Sequence, residues 1–145
     1  MKIKLIIACA LLSLSTVDAY AFTYAAATKT ARLTAVRDQM DLGAGAGKLE
    51  IGTAGMATTC ATITLNDPSA TVSGSVLTLS GFPKTVAASA TCVAAEARIR
   101  DSNNVDVVTG LTVGTSATDI ILDNTSINSG QNVTINASPT ITHAP

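Results

Sequence analysis

The chain changes its hydrophobic period along its length. Residues 5–14 form a nearly unbroken apolar run behind Lys2 and Lys4. Between residues 24 and 42, Leu33, Val36 and Met40 recur at helical spacing, and Ala26 extends the stripe backwards. That pattern predicts one amphipathic helix. Arg32, Arg37, Asp38 and Asp41 lie off the stripe; Arg37 and Asp41 are four apart, within reach of an ion pair. Gly43 supplies the stop, because glycine tolerates the left-handed conformation.

From Lys48 onward the period shortens to two. Strands are predicted at residues 48–51, 58–65, 75–79, 92–100, 105–108, 111–113, 119–123, 131–136 and 140–143. Asn66-Asp67-Pro68, Gly81-Phe82-Pro83 and Asp101-Ser102-Asn103-Asn104 mark turns between them. Residues 105–108 return from 92–100 as a hairpin. Short strands at this spacing predict a mainly β fold of sandwich or jelly-roll type with a single N-terminal helix.

The first apolar run is too short to cross a bilayer, which takes roughly 20 apolar residues. With its basic start and the small residues Ala19 and Ala21 around Tyr20, it reads as a hydrophobic signal helix cleaved after Ala21. Two rivals are weaker. Ile6-Ile7-Ala8-Cys9 has the form of a lipidation site, but only eight residues precede Cys9. A retained N-terminal anchor helix is the other. The expected organisation is a signal peptide at 1–21, a helix and Gly-rich turn at 22–47, and a β-sandwich at 48–145, with 22–145 a single domain.

An exported domain can hold a disulfide, and Cys60 and Cys92 are the cysteines left after the signal. Their even number points to one bond, with two free thiols or a bond between subunits as the alternatives. A bond within the chain would close a loop of about 32 residues, worth roughly 3–4 kcal/mol.

Composition narrows the function classes. Residues 22–145 carry seven Lys and Arg against nine Asp and Glu, a net charge of −2. No basic patch suits nucleic acid and no polybasic stretch suits anionic lipid, so the membrane enters only through the leader during export. Trp is absent and aromatics make up 3% of the chain, which disfavours a sugar-stacking lectin. β-Branched residues and small side chains dominate, which favours strands and packing.

Candidate chemistry is sparse. Gly43-Ala44-Gly45-Ala46-Gly47-Lys48 follows a helix and leads into a strand, the reverse of a phosphate loop. His143 is the single histidine and stands alone, whereas a catalytic base needs an orienting partner. Asp101, Asn103, Asn104 and Asp106 lack the Gly and distal Glu of a calcium loop and read as turn residues. Asp119 and Asp123 bracket an apolar triplet as strand ends. Asn124, Asn132 and Asn136 begin N-glycosylation patterns, which a Thr- and Ser-rich chain also produces by chance. Glu96, Arg98 and Arg100 alternate along one strand and share a face. That face either contacts a subunit or, as the preferred reading, meets water. Neither a catalytic residue nor a metal or other cofactor is expected.

Several stretches resemble a group of small virion-associated proteins of tailed bacteriophages. They are Ala35-Val36-Arg37-Asp38-Gln39-Met40-Asp41, the Gly-Ala loop at 43–47, residues 48–56, Leu77-Thr78-Leu79-Ser80-Gly81-Phe82-Pro83, residues 97–102 and 110–115, and, at the end, Val133-Thr134-Ile135-Asn136 and Ile141-Thr142-His143-Ala144. The resemblance implies a non-enzymatic structural subunit of decoration, head-fibre or tail-associated type, partnered by capsid or fibre proteins or by its own copies as a homo-oligomer. The leader and the cysteine pair depart from that group, whose members assemble in the cytoplasm. They favour the alternative of an exported surface or periplasmic module of adhesin-like or pilin-like kind.

Overall fold

The computed structural model describes residues 23–142. The expected leader, its expected cleavage site at Ala19 and Ala21, Cys9 and His143 lie outside the described residues. Among the described residues a single α-helix, α1 (Ala26–Met40), precedes the strands, so the mainly β expectation holds there. Among the described residues, no helix is long and apolar enough to cross a membrane.

Leu33 and Met40 of α1 are buried and Val36 packs against the core, as the stripe predicts. Ala26 does not extend it: the first helical turn is exposed. Arg37 pairs with its neighbour Asp38 at 2.6 Å. Asp41 caps the end of α1 and accepts the Ser69 N–H at 2.8 Å, so the expected Arg37–Asp41 pair does not form. That bond ties the helix end to the turn before the third strand.

The strands are β1 (Lys48–Gly52), β2 (Thr59–Thr64), β3 (Ala70–Ser73), β4 (Val76–Leu79), β5 (Lys84–Ala87), β6 (Cys92–Val93), β7 (Glu96–Arg100), β8 (Asp106–Gly114), β9 (Ile120–Ile121), β10 (Ser126–Ile127), β11 (Asn132–Ile135) and β12 (Thr140–Thr142). They form four sheets: β2-β1-β7-β8-β9, β12-β4-β3, β11-β5 and β10-β6. All pairings are antiparallel except β8 with β9. β7 and β8 form the expected hairpin.

Register explains the core. Leu49 faces Ile63 on one side and Ile99 on the other, and Ile51 faces Ala61 and Ala97. Because strand side chains alternate, these six sit on one face of the five-stranded sheet, and all are buried. The helix packs on β3 and β4. Gly47 lets the chain pass from helix to sheet: a Cβ there would lie 2.6 Å from the Met40 carbonyl oxygen and 2.8 Å from that of Arg100.

The separate sheets connect at their edges. Beyond β9, Leu122 bridges Ile135 of β11, and β11 pairs with β5. β5 in turn faces β2, the opposite edge of the five-stranded sheet. The pairings therefore run in a ring, with a ladder or bridge at each step except between β2 and β5. At that seam, the Ser89 N–H donates to the Cys60 carbonyl at one end, and Lys84 Nζ donates to the Thr64 carbonyl at the other, both at 2.8 Å.

Candidate functional site

The polar face of the five-stranded sheet carries the densest chemistry. β1 places Glu50 directly opposite Arg98 of β7, and β7 places Arg100 opposite Asp106 of β8. Arg98 Nε donates to Glu50 Oε2 at 2.8 Å. Arg100 Nη1 lies 3.6 Å from Glu50 Oε1, and Arg98 Nη1 lies 3.7 Å from Asp106 Oδ2. Arg100 Nε sits 2.8 Å from Asp106 Oδ1 as an ion pair, off the direction of a hydrogen bond. Each arginine thus touches both acids and each acid both arginines, a closed lattice of alternating charge. Lys48, opposite Arg100, donates instead to Asn104 Oδ1 at 2.9 Å.

The lattice is half-sheltered from water. The Glu50 side chain is 11% exposed, against 22% for Arg98, 24% for Arg100 and 40% for Asp106. Charges sheltered to this degree need partners, and the lattice supplies them in equal numbers. The Arg98 guanidinium is held more firmly protonated, chiefly by its hydrogen bond to Glu50; burial opposes this, and the charges of Glu50 and Asp106 add to it.

Arg98 and Arg100 share a face, as their alternation predicts, but that face is not simply open to water. Glu96 does not join them. Its Oε2 accepts the Gly55 N–H at 2.7 Å, which anchors the short helical turn Ala54–Met56. The arginines' real partners, Glu50 and Asp106, come from other strands. They were missed because only the register brings them opposite, although the alternation Lys48-Leu49-Glu50-Ile51 was a usable signal that Glu50 faces away from the core.

The other candidates fall into structural positions. Asp101 is buried; its Oδ1 accepts the Val105 N–H at 2.7 Å and its Oδ2 the Asn103 side-chain amide at 3.3 Å. It organises the β7–β8 turn, with Asn104 at a φ of 65°. Asp119 Oδ2 accepts both the N–H and the hydroxyl of Thr112, at 2.8 and 2.7 Å. These bonds hold its carboxyl below the usual range, with burial opposing. Asn124 and Asn136 have their side chains engaged by Ser126 and Asp123, whereas Asn132 is exposed on β11. Among the described residues, no group of three or more His, Cys, Asp or Glu is placed to hold a metal ion.

Cys60 and Cys92 are joined within the chain, with a Cα–Cα distance of 5.9 Å. The bond ties β2 to β6. A groove of about 380 Å³ lies between β2 and β5, lined by Thr62, Ile63, Thr64, Lys84, Thr85 and Val86.

No family of proteins, no curated protein and no solved structure matches this chain.

Proposed function

We propose that this chain is a non-enzymatic structural subunit that works by protein–protein contact, of the virion-associated type its sequence resembles. The observation that carries this reading is the neutral charge lattice. Glu50, Arg98, Asp106 and Arg100 are engaged with one another, so the sheet presents a stiff and nearly charge-balanced face. Such a face suits packing against another protein, where unpaired buried charge is costly. The sandwich or jelly-roll architecture is part of the proposal: the four sheets act together as one rigid block that carries this face.

The disulfide favours a second reading. A bond between Cys60 and Cys92 persists in an oxidising compartment, which fits an exported surface or periplasmic module built on the same scaffold.

Fractionation of the source cells and of any particles they release tests both readings. Co-purification with assembled particles supports the virion subunit. Recovery from the periplasm or cell surface, with a mature N-terminus at Phe22, supports the exported module. Recovery as a cytoplasmic monomer contradicts both.

A further inference from the structure

The seam between β2 and β5 has a property that the contact function does not use. Each of these strands is the outermost member of its sheet. Among the described residues they face one another without a ladder, and the hydrogen bonds between them lie at the ends of the seam. At one end, Cys60 holds the chain following β5: its carbonyl accepts the N–H groups of Ser89 and Ala90, at 2.8 and 3.4 Å, and the Ser89 hydroxyl, at 3.1 Å, while that hydroxyl also lies 3.5 Å from the Thr59 carbonyl, and the Cys60 sulfur bonds to Cys92. At the other end, Lys84 Nζ reaches the Thr64 carbonyl and Asn66 Oδ1, both at 2.8 Å. On its far side the β5–β11 pair is attached by the Leu122–Ile135 bridge and by Asn136 Nδ2 donating to Asp123 Oδ1 at 2.6 Å. The pair's own ladder runs from Lys84–Ile135 to Ala87–Asn132. Few polar bonds therefore hold this part of the wall, compared with the continuous ladders that join β2, β1 and β7.

We infer that the β5–β11 pair is a redox-gated panel: reduction of Cys60–Cys92 lets it leave the ring while the β2-β1-β7-β8 wall stays folded. The inference is independent of the contact function. A dithiol reductant supplies the chemistry. Its thiolate attacks the sulfur of Cys92, the less buried of the two, and forms a mixed disulfide. Its second thiol then closes the reductant's own disulfide, and Cys60 and Cys92 leave as thiols. Four residues separate Cys92 from the end of β5, so the cut frees the segment that presses Ser89 onto β2. Once detached, a two-stranded ladder is marginal in water. The panel's amides then lose protection, and Ile63, Val86 and Val133 lose their cover.

Hydrogen exchange on the whole protein, with and without a dithiol, tests this. In the reduced protein, amides of β5 and β11 should exchange at least about tenfold faster than those of β1 and β7, through an opening that low denaturant barely alters. In the oxidised protein the two groups should be closer together. If reduced β5 and β11 stay in step with β1 and β7, or the reduced chain unfolds as a whole, the panel does not exist. Lys84→Met gives a second reading that leaves the cysteines in place. It should speed exchange of β5 and β11 more in the reduced protein than in the oxidised one, since both fastenings oppose one motion. Equal effects in the two states would overturn the inference.

Discussion

Glu50 is the residue on which the charge lattice turns. It is the most sheltered member and contacts both arginines. Glu50→Ala leaves two guanidinium groups short of an acid on a half-covered face. We expect a loss of about 2 kcal/mol, between the values for exposed and buried pairs, read by chemical denaturation. Glu50→Gln keeps the shape and one acceptor and should cost less. Asp119 predicts a pH effect. Its folded-state carboxyl is lowered by the Thr112 bonds, so its stabilisation is complete above the unfolded value, near about 4. It is lost as the pH falls from there through the lowered folded value. Asp119→Asn should flatten that acid limb by lowering stability at neutral pH, where the carboxylate contributes, and change it little below the folded value. Residue-level chemistry was only partly legible. Asp101 was readable as a turn residue from its neighbours, and Arg98 and Arg100 from their alternation. Glu50 was not, because its partner Arg98 lies 48 residues away and nothing local announces it; Asp106 was read as a turn residue, although it begins β8 and the register sets it opposite Arg100.

At the scale of elements, β8 shows how a local signal misleads. Thr109-Gly110 reads as a break between two strands, yet β8 runs unbroken from Asp106 to Gly114. The glycine marks a bulge: register shifts between Ala97 and Ile99, and Gly110 takes a φ of 74°. A second shift, between Ile99 and Arg100, brings Asp106 opposite Arg100. Gly110→Val forces a β-branched residue into the left-handed region and should cost about 1–3 kcal/mol. It should also disturb the arginine lattice, visible as shifted Arg98 and Arg100 side-chain resonances. β3, β5 and the two-residue β10 were not foreseen. Ala70–Ser73 is short and follows Pro68, and Lys84–Ala87 follows Pro83, so turn signals masked both. The predicted 92–100 strand divides into β6 and β7 at Ala94-Ala95, where the Ala94 N–H turns to the Thr125 carbonyl and the Ala95 N–H to that of Gly52. The apolar alternation at β1 was legible from sequence, and the strand lies inside the sheet between β2 and β7. Leu49→Ala should therefore cost about 2–5 kcal/mol, measured as a lowered denaturation midpoint with an unchanged slope.

At the scale of the whole molecule, a ring of short strands is closed by one bridge and by an incomplete seam, with a helix packed on the three-stranded sheet. The Cys60–Cys92 bond closes a loop of 32 residues that contains β3, β4 and β5. Replacing both cysteines by serine should lower overall stability by about 3 kcal/mol, seen in denaturation under non-reducing conditions. The cysteine pair could be read from its even count, but the ring could not, since it depends on contacts between strands far apart in sequence. The central claim is that this protein acts by presenting its sheet face to other proteins. Lys48 and Lys84 lie beside the lattice and at the seam of that face, and both are partly accessible. Amine-directed cross-linking in the native source, followed by mass spectrometry, reads their neighbours most directly. The account predicts links from Lys48 or Lys84 to a second polypeptide, whether another copy or a different structural protein. Links confined to the chain itself, from a protein that sediments as a monomer, would contradict it.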